Sequence, residues 1–345
     1  MIVVLIIAAA LWGAGAALRI PLRQRMAIFA ALWVAVVALH FILPDGHPVR
    51  SATGSDARIW LFLGGFAGVA WVYFSALRWL KGRIVTPVQG PDKTPFRAAE
   101  LDRYARHIML REIGGPGQGK LKAAKVLVVG AGGLGSPALL YLAAAGVGTI
   151  GVIDDDVVDA SNLQRQIIHT DQRIGMAKVQ SAATAVAALN PYVVVRPYQR
   201  RLSREIAADL IGDYDLVLDG SDNFDTRHLV NKVCVALRKP LISGAISQWE
   251  GQLSLFDPAR GSPCYACVFP VQPAPGLVPS CAEAGVAAPL PGVIGAMMAM
   301  EAVKHITGAG ETLQGRLMIH DALFGETRVI GIRRRQDCAV CGADH

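Results

Sequence analysis

The strongest structural signal in this chain lies in residues 125–166, KVLVVGAGGLGSPALLYLAAAGVGTIGVIDDDVVDASNLQRQ. Its first part predicts a buried parallel strand at 126–129, a glycine turn, a helix of small residues and a second strand that ends at Asp154. Glycines let the turn be tight and let the backbone approach a phosphate or ribose closely. The helix N-terminus behind them offers unpaired N–H groups. The turn glycines are Gly130, Gly132, Gly133 and Gly135.

Asp154 follows Gly135 by 19 residues, where a carboxylate at a strand end can accept hydrogen bonds from ribose hydroxyls. These features predict a nucleotide-binding unit and fit NAD, FAD and ATP equally. The polar run SNLQRQ (161–166) and Lys178 favour a triphosphate, because a dinucleotide oxidoreductase has no need of them. Arg165 can fork onto phosphate oxygens, and Lys178 can act as a point charge.

A second polar turn follows another predicted buried strand, in the segment DYDLVLDGSDN (213–223). Open parallel sheets bind ligands at the carboxyl ends of their strands. Asp222 is therefore a candidate magnesium ligand and Asn223 a candidate nucleotide contact. The alternative is that Asp222 caps the next helix.

The second half of the chain departs from a simple strand–helix repeat. The strand in GQLSLFDP (251–258) follows PLISGAIS (240–247) with no helix between them, which predicts antiparallel pairing. Two more strands are predicted in RLMIHD (316–321) and ETRVIGIR (326–333). We therefore predict an α/β fold with a Rossmann-like mixed sheet and helices on both faces.

Hydrophobic residues make up 52% of the 345 residues, and the excess lies near the N-terminus. Residues 1–18, 26–43 and 59–77 contain no Asp, Glu, Lys or Arg. Each is long enough to cross a hydrocarbon layer of about 30 Å as a helix, so we predict three transmembrane helices. The alternative for the first is a cleaved signal peptide, but it lacks a basic start.

Most of the chain's net positive charge also lies near the N-terminus. Residues 1–100 hold ten Lys or Arg against four Asp or Glu, which leaves 24 against 23 in the rest of the chain. No nucleic-acid partner is implied. Basic residues lie between the first two predicted spans and after the third, so the positive-inside rule predicts a multi-pass inner-membrane protein with residues 78 onward in the cytoplasm.

These patterns divide the chain into a membrane region (1–81), a linker rich in Pro and Gly (82–97) and a globular domain (98–345). The first segment of that domain carries Arg103 and Arg106. By itself an RxxR pair is more typical of a solvated helix face than of a binding site.

The chain has six cysteines, of which four form two CxxC pairs. In a cytoplasmic domain this spacing predicts tetrahedral zinc rather than disulfides. Seventy residues separate the pairs, so the metal would clip the end of the chain to an earlier loop. No ligand position is left open, and we interpret the zinc as structural. The predicted ligands are Cys264, Cys267, Cys338 and Cys341, whereas Cys234 is interpreted as a core residue.

Several motifs in one order resemble the ubiquitin-activating-type adenylyltransferases, the family of MoeB, ThiF and HesA. They are the glycine turn with its acidic strand end, SNLQRQ (161–166), GMAK (175–178), DGSDN (219–223) and the paired CxxC. The resemblance covers residues 101 to 342. It implies ATP-dependent adenylylation of the C-terminal Gly-Gly of a ubiquitin-like sulfur carrier of the MoaD or ThiS type, with Mg²⁺, in molybdopterin, thiamine or related biosynthesis.

The resemblance also implies residue roles. Nucleotide contacts are expected at Gly130, Gly132, Gly133, Gly135, Asp154, Asp156, Ser161, Asn162, Leu163, Gln164, Arg165, Lys178, Asp222 and Asn223. Roles in catalysis are expected for Arg106, Arg165, Lys178, Asp222 and Cys281. Arg106 would reach the nucleotide of the other subunit in a homodimer. Cys281 stands where some relatives form a thioester or acyl-disulfide, and its alternative is a loop thiol without a role in adenylation.

The chain departs from the family pattern in two ways. The apolar N-terminal region is not part of the usual enzyme. Only four residues follow Cys341, from which we expect no rhodanese-like extension and a separate sulfur donor. The alternatives are activation of a small molecule or tRNA base, a membrane-bound NAD oxidoreductase, and a zinc-bearing scaffold that binds no ATP.

Overall fold

The structure is a computed structural model that describes residues 2–18, 20–44, 46–54, 56–81, 96–271 and 284–342. Contacts divide the chain into two compact units, Met1–Pro87 and Val88–His345. Most of the predicted linker, residues 82–95, lies outside the described residues.

The second unit is built on one eight-stranded sheet with the order β3-β2-β1-β4-β5-β6-β7-β8. The first five strands run parallel, and β6, β7 and β8 each pair antiparallel with the strand before. The predicted Rossmann-like mixed sheet is therefore present. The strands are β1 (Lys125–Val129), β2 (Thr149–Ile153), β3 (Val194–Tyr198), β4 (Leu216–Asp219), β5 (Leu241–Ile246), β6 (Glu250–Phe256), β7 (Arg316–Asp321) and β8 (Glu326–Gly331).

Helices cover both faces of this sheet, because alternate residues of a buried strand point to opposite sides. In β1, Val126 and Val128 belong to one apolar core, and Leu127 and Val129 belong to the other. Before the sheet come α5 (Ala98–Ile108) and α6 (Gly114–Ala123). The remaining helices are α7 (Gly135–Ala145), α8 (Lys178–Leu189), α9 (Arg204–Gly212), α10 (Phe224–Ala236), α11 (Tyr265–Val268) and α12 (Pro289–Thr307).

In the described part of the first unit there are four helices, with a small core of Val4, Val36 and Trp60. Within it the Trp33 indole N–H donates to the carbonyl oxygen of Trp60 over 2.9 Å. The helices are α1 (Ile2–Ala17), α2 (Leu22–Ile42), α3 (Pro48–Thr53) and α4 (Ala57–Lys81).

The prediction of three transmembrane helices is wrong. Among the described residues one helical stretch, Gln24–Ile42, is long and apolar enough to cross a bilayer, by length and composition alone. The apolar stretches of the other two helices, Ile6–Gly15 and Ala57–Tyr73, are shorter than the roughly 20 residues that a span needs. A window without charges measures composition, whereas a span also needs an unbroken apolar helix of sufficient length.

The prediction of a multi-pass inner-membrane protein with a cytoplasmic globular domain is therefore wrong as well. It depended on comparing basic residues in the loops at the two ends of three crossings. With one candidate stretch, the loops that were compared no longer alternate between two sides of a membrane.

Candidate functional site

The glycine turn between β1 and α7 is tied to the end of β2 through Asp154. The backbone N–H of Ala131 donates to Asp154 Oδ2 over 2.7 Å, and that of Asp156 donates to Oδ1 over 2.9 Å. Burial raises the pKa of Asp154 above its ordinary 3.8, and the two backbone hydrogen bonds oppose the rise. Each carboxylate oxygen retains a lone pair, so Asp154 can hold the turn and still accept hydrogen bonds from a ligand.

Backbone conformation requires one of the turn's glycines, and backbone packing requires another. Gly130 has a φ of 93°, a conformation that L side chains rarely adopt. A Cβ on Gly135 would lie 1.9 Å from the carbonyl oxygen of Gly130. Gly132 differs, because the nearest atom to a Cβ there is Gln166 Nε2 at 3.6 Å, an ordinary contact. The fold therefore has room for a side chain at Gly132, and packing does not explain the glycine.

Next to this turn, side chains of the SNLQRQ segment form a hydrogen-bonded cluster. Asn162 Oδ1 accepts hydrogen bonds from Arg165 Nη2 at 2.7 Å and Gln166 Nε2 at 3.3 Å. The Arg165 chain passes Gly133, with Cδ 3.8 Å from the position of a Cβ. The structure thus brings Asn162 and Arg165 to the turn.

Other predicted residues of the segment lie differently. Ser161 is bonded to Asp159, whose Oδ1 accepts from the Ser161 backbone N–H at 2.8 Å and from its hydroxyl at 2.5 Å. Leu163 is half-buried and Gln164 is exposed. Gln166, which was not among the predicted contacts, is buried against Gly132.

Lys178 begins α8 and is 5% exposed. Its Nζ lies 2.7 Å from Asp156 Oδ2, and its backbone N–H donates to the Asp156 carbonyl oxygen over 3.0 Å. Asp154, Asp155 and Asp156 have carboxylate oxygens within 4.8 Å of one another. The ammonium group is thus paired with Asp156, which belongs to a cluster of three carboxylates that directly follows β2.

The second polar loop leads from β4 into α10. Asn223 caps that helix, with its Oδ1 accepting from the Thr226 backbone N–H at 2.9 Å. The capping role considered for Asp222 therefore belongs to Asn223. Asp222 is exposed, and within the described chain it joins no group of three or more metal-ligating side chains.

Sequence reasoning missed a buried histidine under the glycine turn. His169 Nε2 lies 2.9 Å from the carbonyl oxygen of Ala131, and Nδ1 lies 2.9 Å from Ser181 Oγ. Since a carbonyl can only accept, Nε2 carries the proton and Nδ1 accepts from the Ser181 hydroxyl. Burial lowers the pKa of His169, which keeps the ring neutral.

A buried ion pair behind the second loop was also missed. Asp219 is fully buried, and its Oδ1 accepts from the Ser221 backbone N–H at 2.9 Å and from its hydroxyl at 2.6 Å. Arg227 Nη1 lies 3.8 Å from Asp219 Oδ2, and Nη2 donates to the carbonyl oxygens of Ser221 and of Gly244. Nothing in the local sequence marks Arg227, because its partners are brought together only by the fold.

The two CxxC pairs meet in one buried cluster. Sγ–Sγ distances are 3.9 Å for Cys264–Cys267, 3.7 Å for Cys264–Cys338 and 3.4 Å for Cys267–Cys341. A zinc tetrahedron with bonds of about 2.3 Å has edges of roughly 3.8 Å, so the cluster fits zinc. Disulfide sulfurs would be about 2.05 Å apart. Cys234 is buried in an apolar core, as predicted.

Arg106 lies on the exposed face of α5, at the edge of an open cavity of about 570 Å³. That cavity is lined by α5, α7 and α12, including the exposed residues Tyr141 and Met300. Cys281 lies outside the described residues.

Curated relatives are similar over most of their own length. The chain is 48% identical to the SAMP-activating enzyme E1 of Haloferax volcanii, over 71% of this chain and 90% of that protein. It is 50% identical to the sulfur carrier protein adenylyltransferase of Thermus thermophilus, over 70% of this chain and 91% of that protein. A probable adenylyltransferase/sulfurtransferase, MoeZ of Mycobacterium tuberculosis, is 51% identical over 68% of this chain and 61% of that protein.

Solved structures share the fold. The crystal structure of E. coli MccB superimposes with a TM-score of 0.63 at 24% identity, over 70% of this chain and 74% of that one. The structure of PaaA gives a TM-score of 0.61 at 23% identity, over 85% of this chain and 91% of that one. The profile of the ThiF family matches residues 104–340. This match spans well over half of the sequence, and the chain belongs to the ThiF family.

Proposed function

We propose that this chain is a sulfur carrier protein adenylyltransferase, which adenylylates the C-terminal glycine of a ubiquitin-like carrier of the MoaD or ThiS type. The observation that carries the proposal is the pair of relatives at 48% and 50% identity, matched over 90% and 91% of their length. One is named a SAMP-activating enzyme and the other a sulfur carrier protein adenylyltransferase. Membership of the ThiF family also removes the support for a NAD oxidoreductase.

In the reaction, an oxygen of the carrier's terminal carboxylate bonds to the α-phosphorus of ATP. The bond from that phosphorus to the bridging oxygen breaks, and pyrophosphate leaves with the electron pair. The products are an acyl-adenylate and pyrophosphate. The carboxylate is already ionised at neutral pH, so the step needs no general base, and catalysis is positioning plus stabilisation of charge.

The charge-stabilising groups are Arg165 and Lys178. Arg165 is half-buried and oriented by Asn162, so its guanidinium is preorganised for phosphate oxygens. The ion pair with Asp156 holds the buried ammonium of Lys178 at the end of β2 until a triphosphate offers further oxygens. Packing does not require a glycine at position 132, and we assign Gly132 to the close approach of the nucleotide.

The exposed Asp222 would hold a magnesium ion, because carboxylate oxygens are ligands that Mg²⁺ prefers. When bound, the ion neutralises charge on the phosphates. Asn223 supports this arrangement by capping α10, which sets the direction of the loop. Zinc at the four cysteines would be structural, since all four ligand positions are filled by thiolates.

Three further parts of the proposal concern organisation. Residues 98–345 form the adenylyltransferase domain, and residues 82–97 link it to the N-terminal region. The enzyme acts as a homodimer in which Arg106 serves the neighbouring subunit, which is supported by its exposure beside an apolar cavity. Sulfur comes from a separate donor, and Cys281 is not needed for adenylation.

The test is carrier-dependent exchange of radiolabelled pyrophosphate into ATP. We expect exchange with a carrier that ends in a free Gly-Gly carboxylate. A carrier with one extra residue after the glycine serves as the matched control and should support none. Equal exchange with both carriers, or with no carrier, would contradict the proposed substrate.

A further inference from the structure

One face of α10 carries a row of buried or half-buried polar residues. Asn223, Arg227 and Asn231 are spaced by four, so they lie above one another on the helix. Asn223 caps the helix next to Asp222. Asn231, two turns further along, reaches the cysteine cluster. The row therefore runs from the loop of the proposed nucleotide site to the proposed zinc site.

Asn231 is 1% exposed and makes two contacts with the first CxxC pair. Its Oδ1 accepts from the Tyr265 backbone N–H at 2.9 Å, and its Nδ2 lies 3.7 Å from Cys264 Sγ. The orientation of the amide follows from chemistry, because a backbone N–H only donates and must face the oxygen. The NH₂ group therefore points at the sulfur. Donors to a ligating sulfur orient the ligand and tune its binding to the metal.

Arg227, one turn before Asn231, connects the helix to the loop that carries Asp222. It is 7% exposed and binds the carbonyl oxygens of Ser221 and Gly244, and the Ser243 hydroxyl at 3.0 Å. Ser221 immediately precedes Asp222 in the loop. A change in the tilt of α10 must therefore move this loop or break buried hydrogen bonds.

A second path joins the same two places. The ring of Tyr265, which follows Cys264, lies 5.4 Å from His228 and 5.8 Å from Phe256 between ring centroids. Tyr265 and Arg227 both line one cavity of about 290 Å³. The segment that carries two zinc ligands thus packs directly on the helix and on the residues around Arg227.

From these contacts we propose that zinc at the four cysteines and Mg·ATP at the Asp222 loop are thermodynamically coupled through α10. Asn231 and Arg227 are the positioning residues of this coupling. The inference rests on the proposed function for the nucleotide end. Coupling between two binding sites is reciprocal, so nucleotide binding must raise zinc affinity by the same factor as zinc raises nucleotide affinity.

The experiment measures zinc affinity of the full chain by equilibrium competition with a chromogenic chelator. It is done with and without Mg²⁺ and a non-hydrolysable ATP analogue, whose binding is measured in the same sample. We expect the analogue to raise zinc affinity about 5-fold or more. Unchanged zinc affinity with analogue bound would overturn the coupling alone. Absence of analogue binding would overturn both this inference and the proposed function.

Variants assign the path. Asn231→Leu keeps a similar volume but no hydrogen bonds, and it should lower zinc affinity about 10- to 100-fold and abolish the effect of the analogue. Arg227→Lys should keep zinc affinity without nucleotide but lose the analogue's effect, because a single ammonium cannot span the same partners. Zinc coupling that survives in both variants would overturn these assignments.

The control is Val230→Ala on the same helix. Val230 is fully buried but is not in the polar row, so this change should lower thermal stability and leave the coupling intact. If Asn231→Leu does not yield folded protein, Asn231→Ser replaces it, since serine is too short to reach both the Tyr265 N–H and the sulfur. Loss of coupling in Val230→Ala would show that stability, rather than the polar row, transmits the effect, and would overturn the proposal.

Discussion

Three side chains are expected to act directly on the nucleotide. Asp222→Ala, Arg165→Ala and Lys178→Ala should each reduce carrier-dependent pyrophosphate exchange by about a hundredfold or more, the scale seen when one preorganised charge-stabilising group is removed. The measurement is initial exchange rate at saturating ATP. Arg201→Ala, a change at an exposed arginine, is the control and should leave exchange unchanged. Normal exchange in Asp222→Ala would remove the magnesium role.

His169 makes the glycine turn sensitive to pH. Its pKa in the folded chain is lowered from 6.5 by burial, so the unfolded chain binds a proton at higher pH than the folded chain does. The stability that the neutral ring contributes is complete above pH 6.5 and is lost as the pH falls through the window below it. We expect the melting temperature to fall between pH 7 and pH 5.

The matched variant for this effect is His169→Gln, which cannot take up a proton. Burial also lowers the pKa of His228 and His305, and these residues add a pH dependence of the same sign. The slope of melting temperature against pH should therefore be smaller in the variant, without vanishing. Equal slopes in both proteins would show that His169 is not the titrating group.

At the scale of one element, two glycines of the glycine turn are expected to have different roles, one in backbone packing and one in the approach of the nucleotide. In Gly135→Ala the new Cβ would lie 1.9 Å from the Gly130 carbonyl oxygen, so the turn must shift. We expect this shift to lower the free energy of unfolding by about 1–3 kcal/mol. In Gly132→Ala the nearest atom is 3.6 Å away, so thermal stability should change little. The methyl group should instead raise the KM for ATP, because it occupies the approach to the nucleotide. Equal losses of stability in both variants would contradict this distinction.

At the scale of the whole molecule, the cysteine cluster joins a mid-chain segment to the end of the described chain. We expect about one zinc per chain, measured by elemental analysis. Cys264→Ser and Cys341→Ser should lose the metal and lower the unfolding temperature to a similar extent, because each opens the same tetrahedron. Cys234→Ser should retain zinc. A fully active protein without zinc would contradict the structural role.

Subunit exchange tests the homodimer. If Arg106 serves the nucleotide of its neighbour, mixing Arg106→Ala chains with Asp222→Ala chains gives dimers in which one site has both residues. Part of the exchange activity should return on mixing two inactive variants. Activity that stays at the level of the separate variants would place Arg106 outside the active site.

Local patterns in the sequence were sufficient to predict much of the fold and of the candidate site. The glycine turn and the acidic end of β2 could be predicted because each is formed by residues adjacent in sequence. The antiparallel β5–β6 pair follows from two strands with no helix between them. The CxxC spacing likewise predicted the cysteine cluster, since two residues between thiols suit one tetrahedral site. Periods of two and of about 3.6 residues arise from backbone geometry, which acts over a few neighbours.

Only the tertiary structure decided which distant groups meet. His169 reaches the carbonyl oxygen of Ala131, and Arg227 reaches that of Gly244, across separations that no local pattern encodes. Asn223 rather than Asp222 caps α10, because the backbone sets which side chain faces the free N–H group. Two of the three N-terminal stretches are too short to be spans for a related reason, since the absence of charged residues does not set how long the apolar part of a helix is. Side-chain identity supplies the chemistry, but packing of remote segments determines its partners.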